Sequence, residues 1–150
     1  MTTLPRVTVK PRRALPFFYR HPWVFAGAIA KVESELSPGT EVALVSNNDE
    51  FIGRGLFNPN SNIRVRLYGW QEDVPLDRDF WSIRLDAAIA MRRDWTTGER
   101  NNSAERLVFS EGDGLSGLVV DRYGDWLLLQ LTSLALSKRI NEIVELLQEK

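Results

Sequence analysis

Side chains suited to gripping RNA are concentrated in the segment RHPWVFAGAI, which begins at Arg20. The guanidinium of Arg20 can bind phosphates, and His21 or Trp23 can stack on an unpaired base, as in many contacts to single-stranded RNA. The alternative is that Trp23, Val24 and Phe25 belong to the core, in which case His21 caps the preceding turn. We expect Arg20 to serve binding and Val24 and Phe25 to be buried, and the sequence leaves both roles open for Trp23.

A second basic segment, GRGLFNPNSNIRVRLYGW, covers residues 53–70. Two glycines bracket Arg54, and glycine inside a strand marks a bulge or the close approach of another backbone. Arg64 and Arg66 alternate with apolar residues, which places both on the outer face of one strand. With Arg54 on a neighbouring strand, the three arginines would form a compact patch for phosphates. The alternative is a solvated face balanced by nearby acids, which we favour less because no acid alternates with the arginines.

The third segment, SEGDGLSGLVVDRYGDW, covers residues 110–126 and is rich in glycines and acids. It does not have the spacing of a dinucleotide-binding loop, and its aspartates do not fit an EF-hand calcium loop. Asp125 is explained as a turn residue. Glu111, Asp113 and Asp121 either lie close to a substrate or turn the chain, and the sequence leaves both roles open.

The composition removes most familiar kinds of catalysis. The 150 residues contain no cysteine and one histidine, and no G-x-S-x-G motif or glycine-rich nucleotide loop is present. We therefore expect no catalytic residue and no metal site. Up to Trp70 there are nine Lys and Arg against five Asp and Glu, and ten against fifteen follow, so a basic part precedes an acidic part. Without a membrane span or a signal peptide, the expected location is the cytoplasm.

The first seventy residues have the pattern of short strands. Period-two alternation predicts a strand over 6–10, and a short helix over 14–20 ends at His21-Pro22 because the residue before proline avoids the helical region. Four further strands are predicted over 28–32, 41–46, 50–57 and 62–70. Short, regularly spaced strands with one small helix favour a compact barrel.

The remaining residues, beyond a boundary over 71–75, predict a helix, a loop, three strands and a final helix. Asp77 is placed to cap the first helix, whose predicted apolar positions are Phe80, Ile83, Ala87 and Met91. A polar loop over 96–104 and a strand over 106–109 precede a hairpin of residues 117–123 and 126–131 around Gly124-Asp125. The final helix starts at Ser133 and has one apolar stripe of Leu136, Ile140, Ile143, Val144 and Leu147.

In this order, the three segments resemble the N-terminal half of the bacterial S-adenosylmethionine-dependent large-subunit rRNA cytosine-5 methyltransferases. That family has an RHPWVFxGAI-like segment, a GRGxxNPxSxIRVRL-like strand pair, a helix and an EGDGLPGLxVDRYGD-like hairpin. The match runs along essentially the whole chain. One departure is Ser116, which stands where the family usually has proline and is expected to cost some rigidity in the turn.

The resemblance implies an α+β protein. Residues 1–72 would be a PUA-like pseudo-barrel that binds RNA, and residues 73–150 a partial α/β central domain of helix, hairpin and helix. In the family, a Rossmann-like domain follows and carries the S-adenosylmethionine (SAM) site and the catalytic cysteine. We therefore expect a truncated, non-catalytic chain that holds no SAM and has RNA, specifically rRNA, as its partner.

Two alternatives stay open. The chain is either a stand-alone PUA adaptor in RNA modification or ribosome assembly, or a remnant whose exposed surface supports only self-association. If the central domain is truncated, the uncharged run WLLLQL and the apolar stripe of the final helix lack the strands and the domain that would cover them. We therefore expect a homodimer formed through residues 106–150.

Overall fold

The structure is a computed structural model that describes residues 4–93 and 104–150. The chain forms two compact units, Met1–Leu76 and Asp77–Lys150. The predicted loop over 96–104 lies outside the described residues except for Ala104, which begins a strand. That the second unit is part of a larger central domain stays a prediction.

The first unit is built on a six-stranded sheet that curls into a half-barrel. Its strands are β1 (Arg6–Val9), β2 (Trp23–Phe25), β3 (Ile29–Val32), β4 (Glu41–Val45), β5 (Phe51–Phe57) and β6 (Ile63–Gly69), with the short helix α1 (Leu15–Phe18) before β2. The order across the sheet is β2-β6-β5-β4-β1-β3. β1 pairs parallel with β4 and antiparallel with β3, and the other pairs are antiparallel. The predicted strands and the short helix are confirmed, whereas β2 was not predicted.

The buried residues of these strands form one core. It is made of buried valines, leucines and aromatic residues, with Trp70 packed against its edge. Gly55 lies where the β5–β6 register shifts, and a Cβ there would collide with the Arg66 carbonyl oxygen. The close backbone approach predicted from the glycines is therefore confirmed at Gly55.

The second unit contains the helix α2 (Arg78–Arg93), a three-stranded sheet and two further helices. The sheet has the order β7-β8-β9, with β7 (Ala104–Phe109), β8 (Leu118–Tyr123) and β9 (Trp126–Leu131), all antiparallel. The predicted hairpin is confirmed, and Gly124 takes a positive φ of 58° in its two-residue loop. The predicted cap is also present, because the N–H of Phe80 donates to Asp77 Oδ1 at 3.0 Å.

The buried face of α2 differs from the predicted one. Trp81, Leu85 and Ala88 are buried with Phe80, whereas Ile83 is 68% exposed and the other two predicted positions, Ala87 and Met91, also face solvent. Both sets follow the helical period, and they differ by about one residue of rotation. The packing of α2 against β7 and another helix decides between them, and a local pattern does not contain that information.

The predicted final helix is two helices, α3 (Leu134–Ser137) and α4 (Ile140–Gln148). Arg139 breaks the run with a non-helical ψ of 13°. Most of the predicted stripe is covered inside the unit, since Leu136, Ile143 and Leu147 are buried. The expectation that this stripe needs an outside partner was therefore wrong.

Candidate nucleic-acid interface

A row of aromatic side chains lies along the outer side of the first unit. Strand alternation turns Val24 into the core, where it is fully buried, and leaves Trp23 and Phe25 on the other face. The ring centroids of His21 and Trp23 are 6.2 Å apart, and those of Trp23 and Phe25 are 6.4 Å apart, both pairs nearly perpendicular. We call His21, Trp23 and Phe25 the aromatic row.

The aromatic row forms one side of a pocket of about 540 Å³. Helix α1 contributes the opposite side through Pro16 and Phe17, and Arg13 stands at the rim. Trp70 fixes this helix end, because its indole N–H donates to the Phe17 carbonyl oxygen at 3.2 Å. The pocket is therefore lined by aromatic surface with a cation at its edge.

Arg66 extends the aromatic row on the neighbouring strand. It lies directly opposite Trp23 in the β2–β6 register, with its guanidinium carbon 5.7 Å from the centre of the indole ring. This cation–π geometry holds a positive charge beside the aromatic surface. Two of the predicted residues, Trp23 and Arg66, are thus brought together.

Arg20 has an unusual backbone conformation at the end of α1. The His21 N–H donates to the Pro16 carbonyl and the Arg20 N–H to the Phe17 carbonyl, each at 3.0 Å, which is the pattern of a Schellman motif. Arg20 occupies the left-handed position of that motif with φ of 67°. Glycine is the usual residue there, since other L-residues are strained in this conformation.

His21 has a defined role within the row. Its Nδ1 accepts the backbone N–H of Trp23 at 3.2 Å. In the neutral ring the proton is therefore on Nε2, which makes Nε2 a donor. The exposed imidazole can offer this donor to an acceptor at the pocket.

The charged residues in the segment that forms the pocket are all positive. The first acid of the chain is Glu33, and six basic residues precede it. Arg12, Arg13 and Arg20 are exposed, and Lys10 donates to the Gly27 carbonyl at 2.9 Å. A polyanion would meet attraction here with no nearby carboxylate from this segment to oppose it.

Arg54 does not join this surface. Its side chain is 10% exposed and its Nε lies 2.8 Å from Glu41 Oε1, diagonally across the β4–β5 pair. It also donates to the Glu72 carbonyl at 3.0 Å, while Glu41 accepts the Leu76 N–H at 3.2 Å. The expected compact patch of three arginines is therefore wrong, because Arg54 holds residues 72–76 against the sheet. Arg64 is half-buried like Arg66. Its guanidinium already donates to the carbonyl of Pro59, in the loop that precedes β6.

The three acids for which a place near a substrate was left open, Glu111, Asp113 and Asp121, each contact a neighbouring residue of the second unit. Asp113 accepts from Arg92 at 2.7 Å and from the Phe109 N–H, so it ties its turn to α2. Glu111 accepts the Ser116 hydroxyl at 2.7 Å, a contact that a proline at position 116 would not make. These contacts explain both acids as turn residues.

Asp121 lies on β8, where it receives two hydrogen bonds from Arg106, at 2.8 and 3.0 Å. This bidentate contact holds the pKa of Asp121 below its ordinary value. Within residues 4–93 and 104–150, no three His, Asp or Glu side chains are placed to hold a metal ion. No described helix is long and apolar enough to cross a membrane.

The sequence analysis missed two members of this surface. Phe25, expected in the core, is 40% exposed and lines the pocket. Arg13 was not considered. The alternation of Trp23, Val24 and Phe25 contained the signal for Phe25, since two residues flanking a buried valine on a strand share the opposite face.

Residues 7–70 match the family model described as a PUA-like domain. The chain is 38% identical over 128 residues to ribosomal RNA large subunit methyltransferase I of Erwinia tasmaniensis, an alignment that covers 85% of this chain and 32% of that protein. It is 34% identical over 143 residues to the protein of the same name from Shigella boydii, covering 95% and 36%. The chain thus spans about a third of the length of these curated relatives.

Two solved structures have the same fold. A Streptococcus mutans protein described as a SAM-dependent methyltransferase matches with a TM-score of 0.78 and 17% identity, over 96% of this chain and 37% of the other. SMU.776, described as a methyltransferase complexed with SAH, matches with a TM-score of 0.75 and 19% identity, over 99% and 37%. The predicted PUA-like fold and the predicted homology to rRNA methyltransferases are confirmed.

Proposed function

We propose that this homologue of ribosomal RNA large subunit methyltransferase I binds rRNA through the outer side of its PUA-like unit. The observation that carries the proposal is the partly exposed aromatic row with arginines beside it. We define the RNA-binding face as Arg13, Arg20, His21, Trp23, Phe25 and Arg66. Arginines supply phosphate contacts, and the exposed rings supply stacking surface for unpaired bases.

We further propose that these 150 residues contribute recognition and not methyl transfer. By the resemblance, the methylated atom is C5 of a cytosine, and that chemistry uses a cysteine nucleophile together with SAM. The sequence has no cysteine, so by the same resemblance a Rossmann-like domain would supply both the nucleophile and the SAM site. The same resemblance supports a cytoplasmic location, where rRNA is modified in bacteria.

The test is a binding titration of a labelled large-subunit rRNA fragment at several salt concentrations, followed by fluorescence anisotropy. Removing one phosphate contact should reduce the slope of log K against log salt by about 0.7 for single-stranded RNA. We expect this reduction for Arg20→Ala and Arg66→Ala. Arg64→Ala should change the slope less, because Arg64 is already bonded to the Pro59 carbonyl.

The matched control is Lys138→Ala, which removes one exposed positive charge from the second unit. It should leave both affinity and slope near those of the parent. If Arg20→Ala and Arg66→Ala bind the fragment as the parent does, the proposed face is only a solvated surface. If Lys138→Ala weakens binding as much as they do, binding depends on net charge and not on this face.

A further inference from the structure

We infer that the pocket beside the aromatic row holds one unpaired nucleobase of single-stranded RNA. This inference rests on the proposed RNA binding and adds what the face recognises. The volume of about 540 Å³ is within the roughly 300–1,000 Å³ range of sites for small ligands. A base with its ribose is therefore of the right size, whereas a duplex does not enter such a pocket.

The rings of the row fit contact with a base. Neighbouring rings meet edge to face, at 85° between His21 and Trp23 and at 88° between Trp23 and Phe25. Phe25, at the end of the row, is 40% exposed, so a flat base can stack on the accessible part of its ring. Stacking of a base on a protein aromatic ring contributes about 1–3 kcal/mol.

The polar groups at the pocket fit a nucleotide better than an apolar ligand. None of the lining residues is acidic, and Arg13 stands at the rim. Nδ1 of His21 already accepts the Trp23 N–H. The other ring nitrogen, Nε2, can therefore donate to a ligand. A base offers a ring or carbonyl acceptor to such a donor, and the phosphate of the same nucleotide can contact Arg13.

The experiment compares two ten-nucleotide probes, an oligoadenylate and an abasic strand with the same phosphates. The parent should bind the oligoadenylate more tightly than the abasic strand. Phe25→Ala should weaken oligoadenylate binding about 5- to 150-fold at every salt concentration, without changing the salt slope. Against the abasic strand, Phe25→Ala should cause no loss, because the base it would stack with is absent.

Phe25 is chosen because it is partly exposed, and Phe25→Tyr should retain affinity for the oligoadenylate. Trp23→Ala is the second variant, with thermal unfolding measured for each protein. Leu15→Ala, an exposed apolar truncation on α1 outside the lining, should leave binding unchanged. A 2-aminopurine placed in the strand should lose fluorescence on binding to the parent and keep it with Phe25→Ala.

Two outcomes separate this inference from the proposed function. If the parent binds both probes equally and only arginine variants weaken binding, the pocket holds no base but the RNA-binding face stands. If the parent binds neither probe nor the rRNA fragment, the proposed function itself is wrong and the inference falls with it.

Discussion

At Arg20, backbone geometry and side-chain chemistry make opposite demands. A left-handed conformation costs a non-glycine residue roughly 1–2 kcal/mol. Glycine avoids this cost, but its larger loss of entropy on folding cancels part of the gain. An arginine kept at such a position suggests that its side chain serves binding, since strained residues cluster at functional sites.

Arg20→Gly should therefore stabilise the first unit while weakening RNA binding. We expect a gain of up to about 1 kcal/mol in the free energy of unfolding, measured by urea denaturation. Arg20→Ala is the matched variant, because it removes the same charge and keeps the strain. It should lose as much affinity as Arg20→Gly without the gain in stability. Equal stability of the two variants would mean that the backbone at this position carries no strain.

Arg54 is expected to act on stability and not on RNA. Arg54→Met leaves the Glu41 carboxylate buried without its partner, which should lower the free energy of unfolding by about 3–5 kcal/mol. Adding Glu41→Gln to the same chain should recover much of that loss. RNA affinity of the folded double variant, measured by anisotropy, should equal that of the parent. If the double variant lost RNA affinity while remaining stable, Arg54 would contact RNA after all.

The misplacement of Arg54 shows what a sequence lacks at this scale. Its partner Glu41 is thirteen positions away, and the two meet only because Ala43 faces Arg54 in the β4–β5 register. Arg66 and Trp23 meet through register as well, across forty-three positions. Residue types were enough to select Trp23 and Arg66 as candidates for RNA binding, and the structure places these two side chains together. Strand pairing determines whether an arginine meets a carboxylate, as Arg54 does, or stays available for a phosphate.

At the scale of elements, prediction succeeded where periodicity alone decides the structure. The alternating strands of the first unit and the hairpin around Gly124 follow local rules. It failed where a neighbour decides, as in the rotation of α2 and the division of the last helix at Arg139. The three-residue strand β2 is too short for its alternation alone to predict a strand, and it forms because β6 offers it a partner.

The hairpin of the second unit should lose stability in acid through one carboxylate. Because Arg106 lowers the pKa of Asp121 in the folded state, the pair stabilises the fold above the unfolded value of about 3.9. That stability is lost as the pH falls through the lower folded pKa. Asp121→Asn should therefore be less stable than the parent at pH 7, and the gap should narrow towards pH 3.

Urea denaturation at both pH values measures this gap. Asp125→Asn, which removes a carboxylate from the hairpin turn, is the control and should leave the difference from the parent nearly independent of pH. A gap for Asp121→Asn that stays constant between pH 7 and pH 3 would contradict the role assigned to the Arg106 contact.

At the scale of the whole molecule, β9 is an edge strand with exposed apolar side chains. Trp126 is 80% exposed, and Leu128 also faces solvent. Such an edge invites pairing with another chain. We expect concentration-dependent self-association of the full chain through β9, detected by sedimentation equilibrium.

Leu128→Lys should shift this equilibrium towards monomer, because a charge on an edge strand opposes pairing. Leu134→Lys introduces the same charge at an exposed leucine on α3, outside β9, and should leave self-association unchanged. A parent chain that stays monomeric at high concentration would contradict the predicted dimer.

The position of β1 in its sheet has a consequence for synthesis. Of the six strands of this sheet, β1 is synthesised first, yet it lies between β3 and β4 in the finished sheet. Its parallel partner β4 ends at Val45, so one edge of β1 lacks its partner strand until that residue has been synthesised. β1 is therefore an internal support of the unit, and a variant without Arg6–Val9 would leave β3 and β4 with no strand to join them.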